Sequence, residues 1–142
     1  MLPKMRDYQK LEAKDIRVLV KRTQDGIESQ LLVVQTPFGY RRVAEMFRPD
    51  REGLFPAILY VHWYEPESLN SHRTQFEEEA KEMASSGSIA ISIETLWSDR
   101  DFFLKRTQED DILNSVEEVV NFAVQWICCY PSQTWTLNDL LF

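Results

Sequence analysis

Apolar and polar residues alternate over 16–22 (IRVLVKR) and again over 30–36 (QLLVVQT), with Asp25-Gly26 between the two runs. A period of two is that of a half-buried strand, and Asp-Gly is a dipeptide suited to reversing the chain, so this region predicts a hairpin or meander. Residues 40–48 (YRRVAEMFR) alternate less regularly around Val43 and Met46 or Phe47. They predict a third strand, closed by the polar turn from Arg48 to Gly53.

The pattern changes at Pro56. Residues 56–62 form a near-continuous apolar run that ends on His62, the form expected of a parallel strand covered on both faces. Residues 74–84 (TQFEEEAKEMA) place Phe76, Ala80, Met83 and Ala84 at helical spacing. Three glutamates fall near the start, where the helix dipole favours them. After Ser85-Ser86-Gly87, residues 88–94 (SIAISIE) predict a second apolar strand stopping at an acid. Thr107, with Asp110 three residues on, opens a second helix carrying Ile112, Val116, Val119, Val120, Ala123 and Ile127 on one stripe. Strand, helix, strand, helix within 56–127 is the signature of βαβ units and a parallel sheet. The fold class is α/β.

Composition narrows the function classes. The chain of 142 residues is one domain's worth, and 44% hydrophobic with 27% charged residues is a globular balance. A formal net charge of -7, with basic residues scattered as Lys21-Arg22, Arg41-Arg42 and Lys105-Arg106, argues against nucleic acid. No apolar run approaches the roughly 20 residues that a membrane span needs, and the start shows no signal-length apolar stretch. The expected compartment is the cytoplasm. Cys128 and Cys129 are adjacent, without redox or zinc spacing, and are read as free thiols.

Ligand sites in open α/β sheets lie beyond the carboxyl ends of the strands. Two segments qualify: His62-Trp63-Tyr64-Glu65 and Glu94-Thr95-Leu96-Trp97-Ser98-Asp99. The first contains no glycine, so neither a dinucleotide fingerprint nor a phosphate loop is present; no cofactor is expected. His62 and His72, with Glu65 and Glu67 between them, show no recognised metal-ligand spacing, and no metal is expected. His62 reads either as a strand-end residue bonded to its surroundings or as part of a loop offering N–H groups to an oxyanion. Glu94 without a partner carboxylate reads as a residue that caps or salt-bridges at the rim rather than as half of an acid/base pair. Trp63, Tyr64, Trp97, Phe102 and Phe103 suit an apolar pocket and plain core equally. The four glycines, Gly26, Gly39, Gly53 and Gly87, flank no serine as a nucleophile elbow requires.

The stretch from Phe55 to His62 resembles the "FPAVVxxHG" segment of α/β-hydrolases, particularly the dienelactone-hydrolase-like branch. Residues 76–90 look like that family's first helix running into its next strand. Residues 94–110 look like the following loop, and Asp111 to Val120 like the helix leading to the nucleophile strand. The resemblance covers about residues 30–125. It implies that His62, Trp63 and Tyr64 form the oxyanion loop, with Trp63 where the family has glycine. Nucleophile, acid and base would all lie beyond this chain, so the catalytic triad is expected to be absent. The family's strand order would pair 56–61 with 88–93 on one side and leave the other side facing a missing nucleophile strand, an open edge suited to self-association.

The tail departs from the family. Residues 125–142, from Gln125 to Phe142, lack the leucine-rich helix end and strand that family members show there. Residues 1–124 are therefore read as the N-terminal half of an α/β-hydrolase domain, and 125–142 as an atypical tail expected to arise from a frameshift, mis-splicing or a gene-model error. The resemblance implies a truncated ester or lactone hydrolase, inactive alone. The competing readings are a small non-catalytic α/β binding or dimerisation module, and an acid/base or metal enzyme on His62, Glu65 and Glu94, which lacks a constellation.

Overall fold

Two consecutive residues with positive φ, Asp25 at 52° and Gly26 at 77°, build the first reversal. Positive φ at both central positions is the requirement of a type I′ turn, whose twist matches that of the strands it joins. It links β1 (Ile16–Gln24) to β2 (Ile27–Gln35), antiparallel from Gln24 opposite Ile27 to Ile16 opposite Val34. Leu19 is the extra residue of a bulge between Val18 and Val20. This computed structural model describes residues 16–35, 41–62, 72–95, 98, 104–105, 107–108 and 140–141.

β3 (Arg41–Pro49) pairs with the whole of β2, from Ile27 opposite Pro49 to Gln35 opposite Arg41. Along β2 the even-numbered residues Glu28, Gln30, Leu32 and Val34 are buried and the odd ones half-buried. Burying Glu28 needs compensation. Lys21 supplies an ammonium 2.6 Å from one carboxylate oxygen, and Gln30 donates to the other at 2.6 Å.

β4 (Ala57–Val61) and β5 (Ile89–Ile93) run parallel, in register from Ala57 opposite Ile89 to Val61 opposite Ile93. β5 also pairs antiparallel with β3, with Ala44 opposite Ile93 and Phe47 opposite Ala90. β6 (Leu140–Leu141) lies parallel to β4, with Leu140 opposite Ala57 and Leu141 opposite Ile58. The sheet order is β1-β2-β3-β5-β4-β6, a mixed sheet with an antiparallel flank and a parallel flank.

Two expectations are corrected here. The far edge of β4 does not stand open along its length, because Leu140 and Leu141 pair with its first two residues. Nor is β4 covered on both faces like β5: all of β5 is buried, whereas Ile58 to Val61 are only half-buried.

The crossover from β4 to β5 also differs in detail from a helix over 74–84. Arg73–Phe76 is a 3-10 turn, and α1 runs from Glu77 to Ser85. His72 Nδ1 accepts the Thr74 N–H at 3.3 Å, and Phe76, at φ -112° and ψ 25°, separates the two helical pieces. Glu77, Glu78 and Glu79 occupy the first turn of α1, and Lys81 bonds back to Glu77 at 2.7 Å and Glu78 at 3.1 Å. Gly87, at φ 98°, closes the helix. Its N–H donates to Ala84 O and that of Ser88 to Met83 O, the paired bonds of a Schellman motif.

Ala80 and Ala84 are the buried residues of α1, and their small side chains let the helix settle on Phe47 and Ala90. The opposite face carries the larger core of Leu32, Val34, Ala44, Met46, Ile91 and Ile93. The helix expected from Thr107 to Ile127 lies outside the described residues apart from Thr107 and Gln108, as do Cys128 and Cys129. No described helix is long and apolar enough to cross a membrane.

Candidate functional site at the strand ends

Because Val61 and Ile93 are in register, β4 and β5 release their chains side by side, at His62 and at Glu94-Thr95. His62 is 1% exposed and Thr95 is fully buried. The His62 Nε2 atom lies 2.7 Å from Ser98 Oγ and 3.4 Å from Thr95 Oγ1. Ser98 Oγ also accepts the Thr95 N–H at 3.0 Å, while the Ser98 N–H donates to Thr95 O at 2.9 Å. Thr95 and Ser98 thus close a reciprocal turn, and His62 bolts it to the end of the neighbouring strand. A ring nitrogen in such a position is satisfied in either protonation pattern, because a hydroxyl both donates and accepts.

A charged group lies beside it. The Glu94 N–H donates to Val43 O at 2.9 Å, which anchors its backbone to β3. Its carboxylate meets Arg73 Nη1 at 2.5 Å. Arg73 Nε faces Glu45 at 3.9 Å, and the Arg73 carbonyl accepts from Ser92 Oγ at 2.5 Å. Glu94 is the rim salt bridge expected of it. Burial pushes the Glu45 carboxyl above its ordinary value, the nearby Glu77 charge adds to this, and Arg73, Lys81 and His72 oppose it.

His62 and His72 do separate work. His72 caps the 3-10 turn through Thr74, with Thr74 Oγ1 3.1 Å from its Nδ1, while His62 holds the strand-end turn. Among the described residues no group of three metal-ligating side chains converges. Trp63 and Tyr64 of the expected oxyanion loop, with Glu65, Glu67, Trp97, Phe102 and Phe103, lie outside the described residues. A hollow lined by Asp25, Gly26, Pro49, Arg51 and Gly87 sits at the opposite end of the sheet, beside the start of β5, and takes no part in this cluster.

Sequence reasoning named His62 and missed its partners. Thr95 and Ser98 are 33 and 36 residues away. The signal was available as Thr-x-x-Ser directly after a strand, the spacing of a reciprocal side-chain-to-backbone turn. Arg73 gave no signal of its own.

The described architecture is a mixed α/β sheet with a polar cluster at the carboxyl ends of its parallel strands. No protein-family model matches the sequence, and no curated protein matches it. Solved structures match in fold. Methylesterase BT1017 superposes with a TM-score of 0.64 at 10% identity, over 88% of this chain and 28% of that one. An acetyl xylan esterase from Paenibacillus sp. R4 gives 0.40 at 17% identity, over 56% of this chain and 24% of that one. A cold-adapted esterase from an Arctic intertidal metagenomic library gives 0.41 at 12% identity, over 54% and 29%. The chain therefore shares the sheet fold of the methylesterase over most of its own length, and spans less than a third of each of these structures.

Proposed function

We propose that this chain is the amino-terminal part of a serine-type ester or lactone hydrolase domain, of the dienelactone-hydrolase-like branch, and that it is catalytically silent by itself. The observation that carries the reading is the strand order. β3, β5, β4 and β6 follow one another across the sheet with β4, β5 and β6 parallel. The pairing of β4 with β5, and a further parallel position on the outer side of β4, are what the resemblance implies for 56–61 and 88–93; Leu140 and Leu141, from the atypical tail, reach only the first two residues of that outer side. The fold shared with a methylesterase over 88% of the chain supports it. In this reading the loop from His62 through Trp63 and Tyr64 contributes N–H groups to an oxyanion hole, a preorganised contribution that does nothing without a nucleophile. The latch from His62 to Ser98 holds the start of that loop. Catalysis of ester cleavage would belong to the whole domain, in the cytoplasm, and the outer edge of β4 at Leu59–Val61 would be where two copies of this piece associate.

The coding DNA from codon 120 past the stop tests this reading. A shifted frame that encodes a leucine-rich helix end, then a strand and a Gly-x-Ser-x-Gly elbow, is the expected result. Closed or unrelated sequence in every frame overturns it. The purified chain should turn over neither 4-nitrophenyl acetate nor a simple lactone above the buffer rate; turnover that follows the protein through purification would overturn the silence.

A further inference from the structure

Of the five large hydrophobic side chains most exposed among the described residues, three are consecutive on one edge strand: Val18 at 49%, Leu19 at 48% and Val20 at 40%. β1 is the first strand in the sheet order, so its outer backbone edge has no neighbour among the described strands. Natural sheets blunt such edges with charge or a bulge. β1 has both, yet keeps an apolar centre. The bulge at Leu19 divides it, and Val20 to Gln24 remains an unbroken ladder of five residues.

The charge on this edge has one sign. Residues 16–24 contain Arg17, Lys21 and Arg22 and no acid, in a chain of net charge -7. Lys21 is engaged by Glu28. Arg17 and Arg22 are paired with Val33 and Ser29 in the ladder, the same side of the sheet as Val20 opposite Leu31. Neither has a carboxylate partner among the described residues. Two arginines therefore bracket an apolar residue on one face of an open edge.

A second copy of β1 brings three more cations and no acid to this edge, and parallel pairing in register stacks each cation on itself. Like charges directly opposite one another are destabilising. We propose that the outer edge of β1 is an addition site for an extended polypeptide segment that carries carboxylates among apolar residues. Backbone pairing supplies the common part of the affinity, and the side chains on alternate positions supply the choice.

The test uses the whole chain and three fluorescein-labelled peptides. One alternates glutamate with valine, one replaces glutamate by lysine, and one is the glutamate peptide N-methylated at every second backbone nitrogen. The glutamate peptide should bind in a salt-sensitive manner and slow amide exchange within 16–24, and the other two should not bind. Arg17→Glu/Arg22→Glu should weaken the glutamate peptide by about tenfold and favour the lysine peptide. An unchanged urea midpoint shows that the variant is folded, and Arg17→Gln/Arg22→Gln serves if it is not. Equal binding of the N-methylated peptide, unchanged affinity in folded variants, or capture by phosphatidylglycerol vesicles with no peptide binding would each overturn the proposal.

Discussion

Replacing Ser98 by alanine isolates the bolt between the two parallel strands. The substitution removes the acceptor of the Thr95 N–H at 3.0 Å and the partner of His62 Nε2 at 2.7 Å. Thr95 Oγ1, 3.4 Å from the same ring nitrogen, makes only a long bond that recovers part of the loss. His62 is buried, so its nitrogen gains no water in exchange. A buried polar group left without its partner costs about 1–3 kcal/mol. With the lost turn bond included, Ser98→Ala should destabilise the chain by about 2 kcal/mol. Urea slopes of about 1–3 kcal/mol/M turn this into a midpoint lowered by roughly 1 M. Ser85→Ala is the control, because that hydroxyl donates to Lys81 O on the exposed surface of α1, and it should stay within about 0.5 kcal/mol. If the loss runs through the ring, combining Ser98→Ala with His62→Phe should cost clearly less than the sum of the two. A Ser98→Ala midpoint equal to that of Ser85→Ala, or strict additivity in the cycle, would refute the reasoning.

Ile93 is fully buried in the larger core beside Ala44, so Ile93→Ala should cost about 2–5 kcal/mol by urea unfolding, while Leu54→Ser, at a side chain 70% exposed, should leave the midpoint nearly unchanged. At Glu28, burial works to raise the carboxyl, but hydrogen bonds from Lys21 and Gln30 and the charges of Lys21 and Arg48 outweigh it and hold it below its ordinary value. Its contribution is therefore present above the unfolded-state value and lost as pH falls through the folded one; Glu28→Gln should be less stable than the parent at neutral pH, with the gap closing in acid. Glu45 is held above its ordinary value, so the folded chain retains that proton longer and loses stability as pH rises through the window; Glu45→Gln should gain stability at neutral pH and lose that advantage in acid. Gly87 takes φ 98° at the end of α1, and Gly87→Ala should cost about 1 kcal/mol in the same assay.

Local chemistry made some elements legible. Asp25-Gly26 specified the first reversal, and both flanking strands follow from their alternation, reaching Gln24 and back to Ile27, two and three residues beyond the apolar pattern. The apolar run to Val61 and its counterpart to Ile93 were readable because parallel strands carry no polar face. Position within the sheet was not readable in the same way. Val18 and Val20 alternate like residues on a half-buried strand, yet β1 is an exposed edge, because a period of two reports the strand and not its neighbours. Leu140-Leu141 is too short to carry any period, and its partner Ala57 is more than eighty residues away in the chain. The 3-10 turn over Arg73–Phe76 depends on His72 capping Thr74, which the spacing of Phe76 and Ala80 does not express. At the candidate site, His62 was identified by its place at a strand end; the Thr95–Ser98 turn was legible only as a Thr-x-x-Ser spacing, and the contacts of that turn to His62, like those of Arg73 to Glu94, arise only in the folded sheet.

The two flanks of this sheet are finished by opposite means. On the antiparallel flank, β1 is long and cationic, and its ladder to β2 is complete apart from one bulge. On the parallel flank, β6 touches β4 at two positions and leaves Leu59, Tyr60 and Val61 half-buried without a described outer neighbour. The polar bolt sits on the second flank, where His62 ties the end of β4 to the turn after β5. The hydrogen bonds among His62, Thr95 and Ser98 constrain the strand ends just beyond Val61 and Ile93, the last paired residues of β4 and β5. The same bolt sets where the chain beyond His62 begins, which any function of the following loop requires. The arrangement therefore serves folding and site geometry through one set of atoms, and a change at Ser98 that spares the sheet would still move the start of that loop.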